Sequence, residues 1–205
     1  MGEETQVPPQ HWGDLKAGDI KKVCDCSLAV ESPPNGLILS VLGREILVDR
    51  EEASLKSRKA ETWEKVEDPL LELLILVYLL KAGPDSLQNE LISVQELKVS
   101  HFFQGPHELR LGPLLTRYGQ DPKGFKEAAE SLSGEALDLA DISYCIPALP
   151  KVPLYYLLWE GDEEFEPRIS VLFDRSVEKH LSADAIWGLV NLVSEALVKA
   201  PNFPF

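Results

Sequence analysis

The stretch HFFQGPHELRL, residues 101–111, carries two of the chain's four histidines among aromatic side chains. Gly105 and Pro106 stiffen the corner just before His107. An imidazole held on a fixed turn beside Phe102 and Phe103 suits axial ligation of the iron of a flat, apolar cofactor. Arg110 can pair with the carboxylates of such a group, as can Arg117 if residues 108–118 are helical. On this reading the ligand is a tetrapyrrole, haem or a related corrinoid. His107 is the first axial ligand and His101 the second, and Phe102 and Phe103 line the slot. It requires His107 to face an apolar crevice wide enough for a planar ring system. The plain alternative is a loop leading into a helix, with histidines that hydrogen-bond backbone carbonyls.

A second cluster is WEGDEEFEP, with Glu160, Asp162, Glu163, Glu164 and Glu166. Such oxygens suit a hard divalent cation, and paired carboxylates suit acid–base work. The alternation of a calcium loop is missing. As a solvated hairpin tip the same acids are a contact surface for a partner protein. Three cysteines, Cys24, Cys26 and Cys145, are too few and too odd for a disulfide scaffold. Cys24 and Cys26 share a face if they lie in a strand. Structural zinc asks for wider spacing and a second pair, so they read as packed thiols. Trp12, Trp63, Trp159 and Trp187 read as core or rim residues, and His11 and His180 as incidental. The common catalytic motifs GxGxxG, P-loop, GxSxG and H-E-x-x-H are absent, as is C-x-x-C-H. The reading therefore leans away from an enzyme.

The elements that must position these residues follow from pattern. The chain has 205 residues, 44% of them hydrophobic, enough for a real core. Its formal net charge of −14 repels phosphate backbones and anionic bilayers, so neither nucleic acid nor membrane is an expected partner. The most apolar run, Leu70 to Leu80, is far shorter than the roughly 20 residues of a membrane span. The start MGEETQ has neither a secretory pattern nor the Ser or Thr of a myristoylation site at Gln6, so a cytoplasmic location is expected.

Residues 1–10 read as a flexible N-terminus and 11–205 as a single α+β domain. A short helix is expected over His11 to Val23. LAVESPPNGLILSVLGREILVDRE reads as a three-stranded meander, with Gly43-Arg44 as a type II′ turn. Residues 51–67 read as a charged surface excursion. Asp68-Pro69 starts a helix, apolar on nearly every side to about residue 82, that has to be buried. Asp121-Pro122 starts another, with Phe125, Ala128, Ala129 and Leu132 on one face. Val152 to Trp159 and Arg168 to Phe173 pair as a ribbon. Pro147, Pro150 and Pro153 mark the preceding strand as an edge or a sharp bend. A last helix begins near Ser182, turns Ile186, Leu189, Val190, Val193 and Leu197 to one side, and stops at Pro201. The expected fold is α+β, an antiparallel sheet covered by helices.

The second half resembles a domain-of-unknown-function family of anaerobic bacteria and archaea. The resemblance rests on DPKGFKEAA, on PKVPL, on WEGDEEFEP with LFD after it, and on LGREILV and FFQGPHEL. It covers most of residues 28–195. Ala136, Ala140, Glu166 and Ser182-Ala183 depart from the family pattern. Members of that family stand alone or are fused to iron–sulfur domains, near corrinoid-dependent one-carbon metabolism. The resemblance thus implies an anaerobe and a cofactor-handling neighbourhood, with an iron–sulfur or corrinoid protein as partner. The corrinoid signature D-x-H-x-x-G is absent, since Gly105 stands two positions before His107. Three functions follow in order. The first is a tetrapyrrole-binding protein. The second is an interaction module using the 160–166 acids, and the third a divalent-metal enzyme using those same carboxylates.

Overall fold

The structure is a computed structural model and describes residues 7–200. Residues 1–6 of the expected flexible terminus and the expected stop at Pro201 lie outside the described residues. Pro9 already opens helix α1 (Pro9–Ala17), which is followed by α2 (Ile20–Ser27). One helix over this stretch was expected. The extended backbone of Gly18 ends the first, and Asp19 caps the second by accepting from the Lys22 amide. Cys24 and Cys26 therefore ride on a helix and not on a strand.

The first antiparallel sheet runs β1 (Val30–Ser32), β2 (Gly36–Val41), β3 (Arg44–Asp49), β4 (Ser54–Lys59) and β5 (Thr62–Val66), in that spatial order. The meander is thus longer by two strands than expected, because residues 51–67 are mostly sheet. Their inward side is thin: Leu55 and Val66 are buried with Ser57, while Lys56 and Arg58 reach across the outer face. Lys56 meets Asp49 at 2.9 Å and Arg58 meets Glu45 at 2.7 Å, both across β3–β4. The charged alternation that looks like a loop is the wet side of a strand.

The β2–β3 turn sits one residue earlier than expected. Val41 pairs with Arg44, leaving Leu42 and Gly43 as the turn, with φ of +50° and +72°. Two positive φ values make it type I′, not II′. The strain at Leu42 is offset by burying its side chain and by its amide donating to the Pro147 carbonyl at 3.0 Å. That bond joins the first sheet to the second.

Helix α3 (Pro69–Lys81) starts where Asp68 Oδ1 accepts the Leu70 and Leu71 amides, each at 3.0 Å. It packs against α1, α2 and the last helix, and Leu71 and Leu74 to Leu79 are buried. The buried Tyr78 hydroxyl donates to the Ser27 carbonyl (2.9 Å) and accepts from the Lys151 amide (3.2 Å). An irregular stretch with the short strand β6 (Leu91–Ile92) leads to α4 (Gly112–Tyr118) and α5 (Pro122–Ser131). Phe125, Ala128, Ala129 and Leu132 are buried, as their spacing predicts.

The second antiparallel sheet has β7 (Glu135–Leu137), β8 (Ile142–Leu149), β9 (Val152–Trp159) and β10 (Arg168–Asp174), in the order β6-β10-β9-β8-β7. Strand β8 is not an edge: it bends, with its register shifting between Ile146 and Leu149. β7 pairs only with Ser143 to Cys145, so Pro147 costs that pairing no amide. Helix α6 (Ala183–Lys199) buries its expected stripe, and Tyr156 of β9 reaches its Ser194 hydroxyl at 3.1 Å. One hydrophobic cluster runs through both sheets and the helices. The fold is α+β, with two five-stranded antiparallel sheets and α3 buried at the centre.

A Cβ on Gly43 would stand 2.0 Å from the Ser133 hydroxyl, at a φ that L side chains avoid. Gly43→Ala is expected to cost about 2–4 kcal/mol in urea unfolding. Adding Ser133→Gly, where φ is +59°, is expected to return part of it. Tyr78→Phe strands a buried amide and carbonyl and is expected to cost about 2 kcal/mol in the same measurement.

Candidate functional site

The histidine cluster sits on the irregular stretch between β6 and α4, which has to be tied down from outside because it has few ladder bonds. Glu96 accepts the Ser93 amide and hydroxyl, at 2.8 and 2.9 Å. Glu178 accepts the Lys98 and Val99 amides, at 3.1 and 3.2 Å. Leu97 and Phe103 are buried as hydrophobic anchors. The segment then makes two 3₁₀ turns, Ser100–Phe102 and Gly105–His107, with Gly105 at φ +57°.

This geometry brings three of the six expected residues around Trp187 of α6. His107 stacks on Phe102 with ring centres 4.4 Å apart and 24° between planes. Trp187 meets the same imidazole edge-on at 5.8 Å and 83°. The Arg110 guanidinium lies 5.4 Å from the Trp187 ring centre, and the indole N–H donates to the Glu108 carbonyl at 3.3 Å. The other three residues point elsewhere. Phe103 turns inward, Arg117 lies over Tyr118 at 5.5 Å, and His101 is exposed on its own turn. Trp187 follows Ile186 and falls off the buried stripe of α6, which is the signal that marks it as a rim residue.

An exposed imidazole fits an axial ligand, but the two phenylalanines do not form a slot. Phe102 stacks on the His107 ring itself and meets Phe103 edge-on at 5.3 Å and 81°, so the two phenylalanines pack on each other and not on either side of an open space. A cavity of about 260 Å³ lies beside Phe103, between Val94, Leu109, Leu111 and Val171, and His107 is not part of its wall.

The acidic segment is the second candidate. Asp162 builds it: its carboxylate accepts the Glu164 and Phe165 amides at 2.8 and 2.7 Å, and its own amide donates to the Phe165 carbonyl. The Glu160 amide donates to Asp141 at 2.9 Å, fastening the loop to the turn before β8. The result is an ordered tip with Phe165 69% exposed among Glu160, Glu163, Glu164 and Glu166, and with Leu139 45% exposed on the neighbouring turn. Behind it the Arg168 guanidinium covers the Trp159 ring at 4.1 Å. Glu160, Glu163, Glu164 and Glu166 are all exposed. Among the described residues, no group of three or more His, Cys, Asp or Glu is placed to hold a metal ion.

Burial, with Glu31 and Asp25 nearby, pushes the Cys24 thiol up, and burial beside Glu135 does the same for Cys145. Neither is set up as a nucleophile. Among the described residues, no helix is long and apolar enough to cross a membrane.

No curated protein and no solved structure matches this chain. A family model does: the chain belongs to the family described as Domain of unknown function (DUF3786), whose model matches residues 19–196.

Proposed function

We propose that this chain is a non-catalytic interaction module whose contact face is the acidic tip at 160–166 with the adjoining turn at Leu139. The supporting observation is Phe165, 69% exposed and held out by a loop that its own backbone braces. Burying a phenylalanine in a partner's pocket contributes about 2–3 kcal/mol. The surrounding carboxylates steer a basic partner and reject acidic ones. A pre-ordered loop pays little further entropy on binding. The resemblance to a domain-of-unknown-function family implies a neighbourhood of corrinoid-dependent one-carbon metabolism in anaerobes, which frames the partner as an iron–sulfur or corrinoid protein with a basic, apolar docking patch.

The test is capture of such a partner, identified by its cofactor spectrum, from anaerobic extract. Replacing Glu160, Glu163, Glu164 and Glu166 by Gln, with Asp162 kept, is expected to abolish capture and leave the melting temperature within a few degrees. Phe165→Ala is expected to weaken binding at low and at physiological salt alike. Capture indifferent to both changes would sink this reading.

A second reading keeps the histidine cluster. His107 is exposed and lines no crevice of the kind the sequence reading required, so a tetrapyrrole bound beside Phe102, Trp187 and Arg110 would lie against the outside of the protein. Haem or a corrinoid would take His107 as axial ligand and Arg110 as carboxylate partner. Titration of the purified protein with haem is expected to shift the Soret band, and His107→Ala to remove the shift. A spectrum unchanged by both His107→Ala and His101→Ala rules the site out.

A further inference from the structure

His180 was expected to be incidental, yet it is 1% exposed, and among the described residues neither ring nitrogen has a hydrogen-bond partner. A fully buried imidazole with two idle nitrogens is unusual, because buried polar atoms are nearly always paired. It lies where the irregular segment 83–90 crosses the end of the second sheet.

That segment has no helix or strand of its own and is held by charged groups. Gly83 donates its amide to the Lys179 carbonyl at 3.2 Å and accepts the Lys151 ammonium at 3.1 Å. Asp85 pairs with Lys179 at 2.5 Å. The Gln88 and Asn89 amides donate to the two oxygens of Asp174, at 3.0 and 2.7 Å. Glu90 pairs with Arg175 at 2.6 Å and accepts its amide. Asp174 is also committed to the Ser176 amide and hydroxyl, at 2.9 and 2.6 Å. The apolar contribution is Leu87, which lines one side of a crevice of about 210 Å³ with Cys145, Pro147, Leu149 and Tyr155.

We propose that segment 83–90 is an acid-sensitive strap, latched by Asp85 and Asp174 and released when His180 takes up a proton. The titratable and charged groups facing His180 are Lys151 from the β8–β9 turn, Asp174 from β10, Lys179 from the turn before α6, and Asp85 from the strap. An imidazolium needs two acceptors. Among the described residues, the carboxylates whose charge acts on His180 are the two that hold the strap. Protonated His180 therefore draws one of them from its amides or its lysine, or leaves for water. Either way Leu87 lifts and the crevice opens.

Burial, and then Lys151, hold the His180 imidazole below its ordinary range. Burial pushes Asp174 up, but the bonds from Ser176, Gln88 and Asn89 outweigh it and leave this carboxyl below its usual range. The signs follow. The closed strap binds fewer protons than the open one. Its stability is full above the free-imidazole range near pH 6.5 and is lost as pH falls from there toward the depressed folded value. The Asp174 contribution is lost separately, at pH values below the ordinary carboxylate range.

Hydrogen exchange by mass spectrometry, corrected for intrinsic rates, tests this on the whole chain. Exchange at 85–90 is expected to be flat from about pH 7.5 to about pH 6.5 and to rise below that, down to about pH 5.5, by up to about tenfold per pH unit, the slope of one proton, while β9 stays protected. His180→Phe, or His180→Asn if the first fails to fold, is expected to flatten that rise. Asp174→Asn is expected to loosen the strap at every pH. A flat wild-type profile, an unchanged slope in the His180 variant, or β9 exchanging in step with the strap overturns the proposal.

Discussion

Helix α3 shows almost no polar surface from its second turn onward, and the rest of the molecule is arranged to cover it. Seven consecutive or near-consecutive side chains, Leu71 and Leu74 to Leu79, are buried. Each would cost on the order of 2 kcal/mol if left in water. No single neighbour can shield every side of a helix, so α1, α2 and α6 share the task. Two polar contacts fix how they do so. Glu72 takes the indole N–H of Trp12 at 2.7 Å, setting α1. The Tyr78 hydroxyl bridges the end of α2 and the β8–β9 turn. The hydrophobic demand is indifferent to direction, and these hydrogen bonds supply the direction.

The parts of this fold that were legible in the sequence are those where one local signal acts alone. Asp-Pro at 68–69 and 121–122 caps and starts helices whatever surrounds them, and the spacing of α6 sorts core from surface without reference to its neighbours. The missed parts depend on partners distant in the chain. β4 and β5 carry too few apolar residues to read as strands. They are strands because β3 offers a free edge and carboxylates for Lys56 and Arg58. The turn at Leu42 and Gly43 moved by one residue because a buried leucine and the carbonyl of Pro147 outweigh the preference for glycine at the first corner position.

The candidate sites divide along the same line. Phe102, His107 and Arg110 are close in sequence, and the structure does gather them, but around Trp187, which no local pattern could supply. The order of the 160–166 tip follows from Asp162 turning its carboxylate onto its own loop, a role that composition cannot separate from that of its exposed neighbours. His180 was unreadable for the opposite reason. Its surroundings come from Lys151 and Asp85, both far away along the chain, as well as from the nearby Asp174 and Lys179, and solvent exclusion at that point is a property of the assembled fold.

Both sheets are open, and each leaves two rims. β1 and β7 are three residues long and β6 only two, while β5 alternates Glu64 and Lys65 along its free side. A stranger's backbone finds either too few amides in a row to template on, or ammonium and carboxylate groups that it would have to strip of water. Of the large apolar side chains left exposed, Phe165 and Leu139 stand on turns, Leu28 ends α2, and Val30 lies on the β1 rim, where three residues give a docking backbone too short a row on which to build a stack.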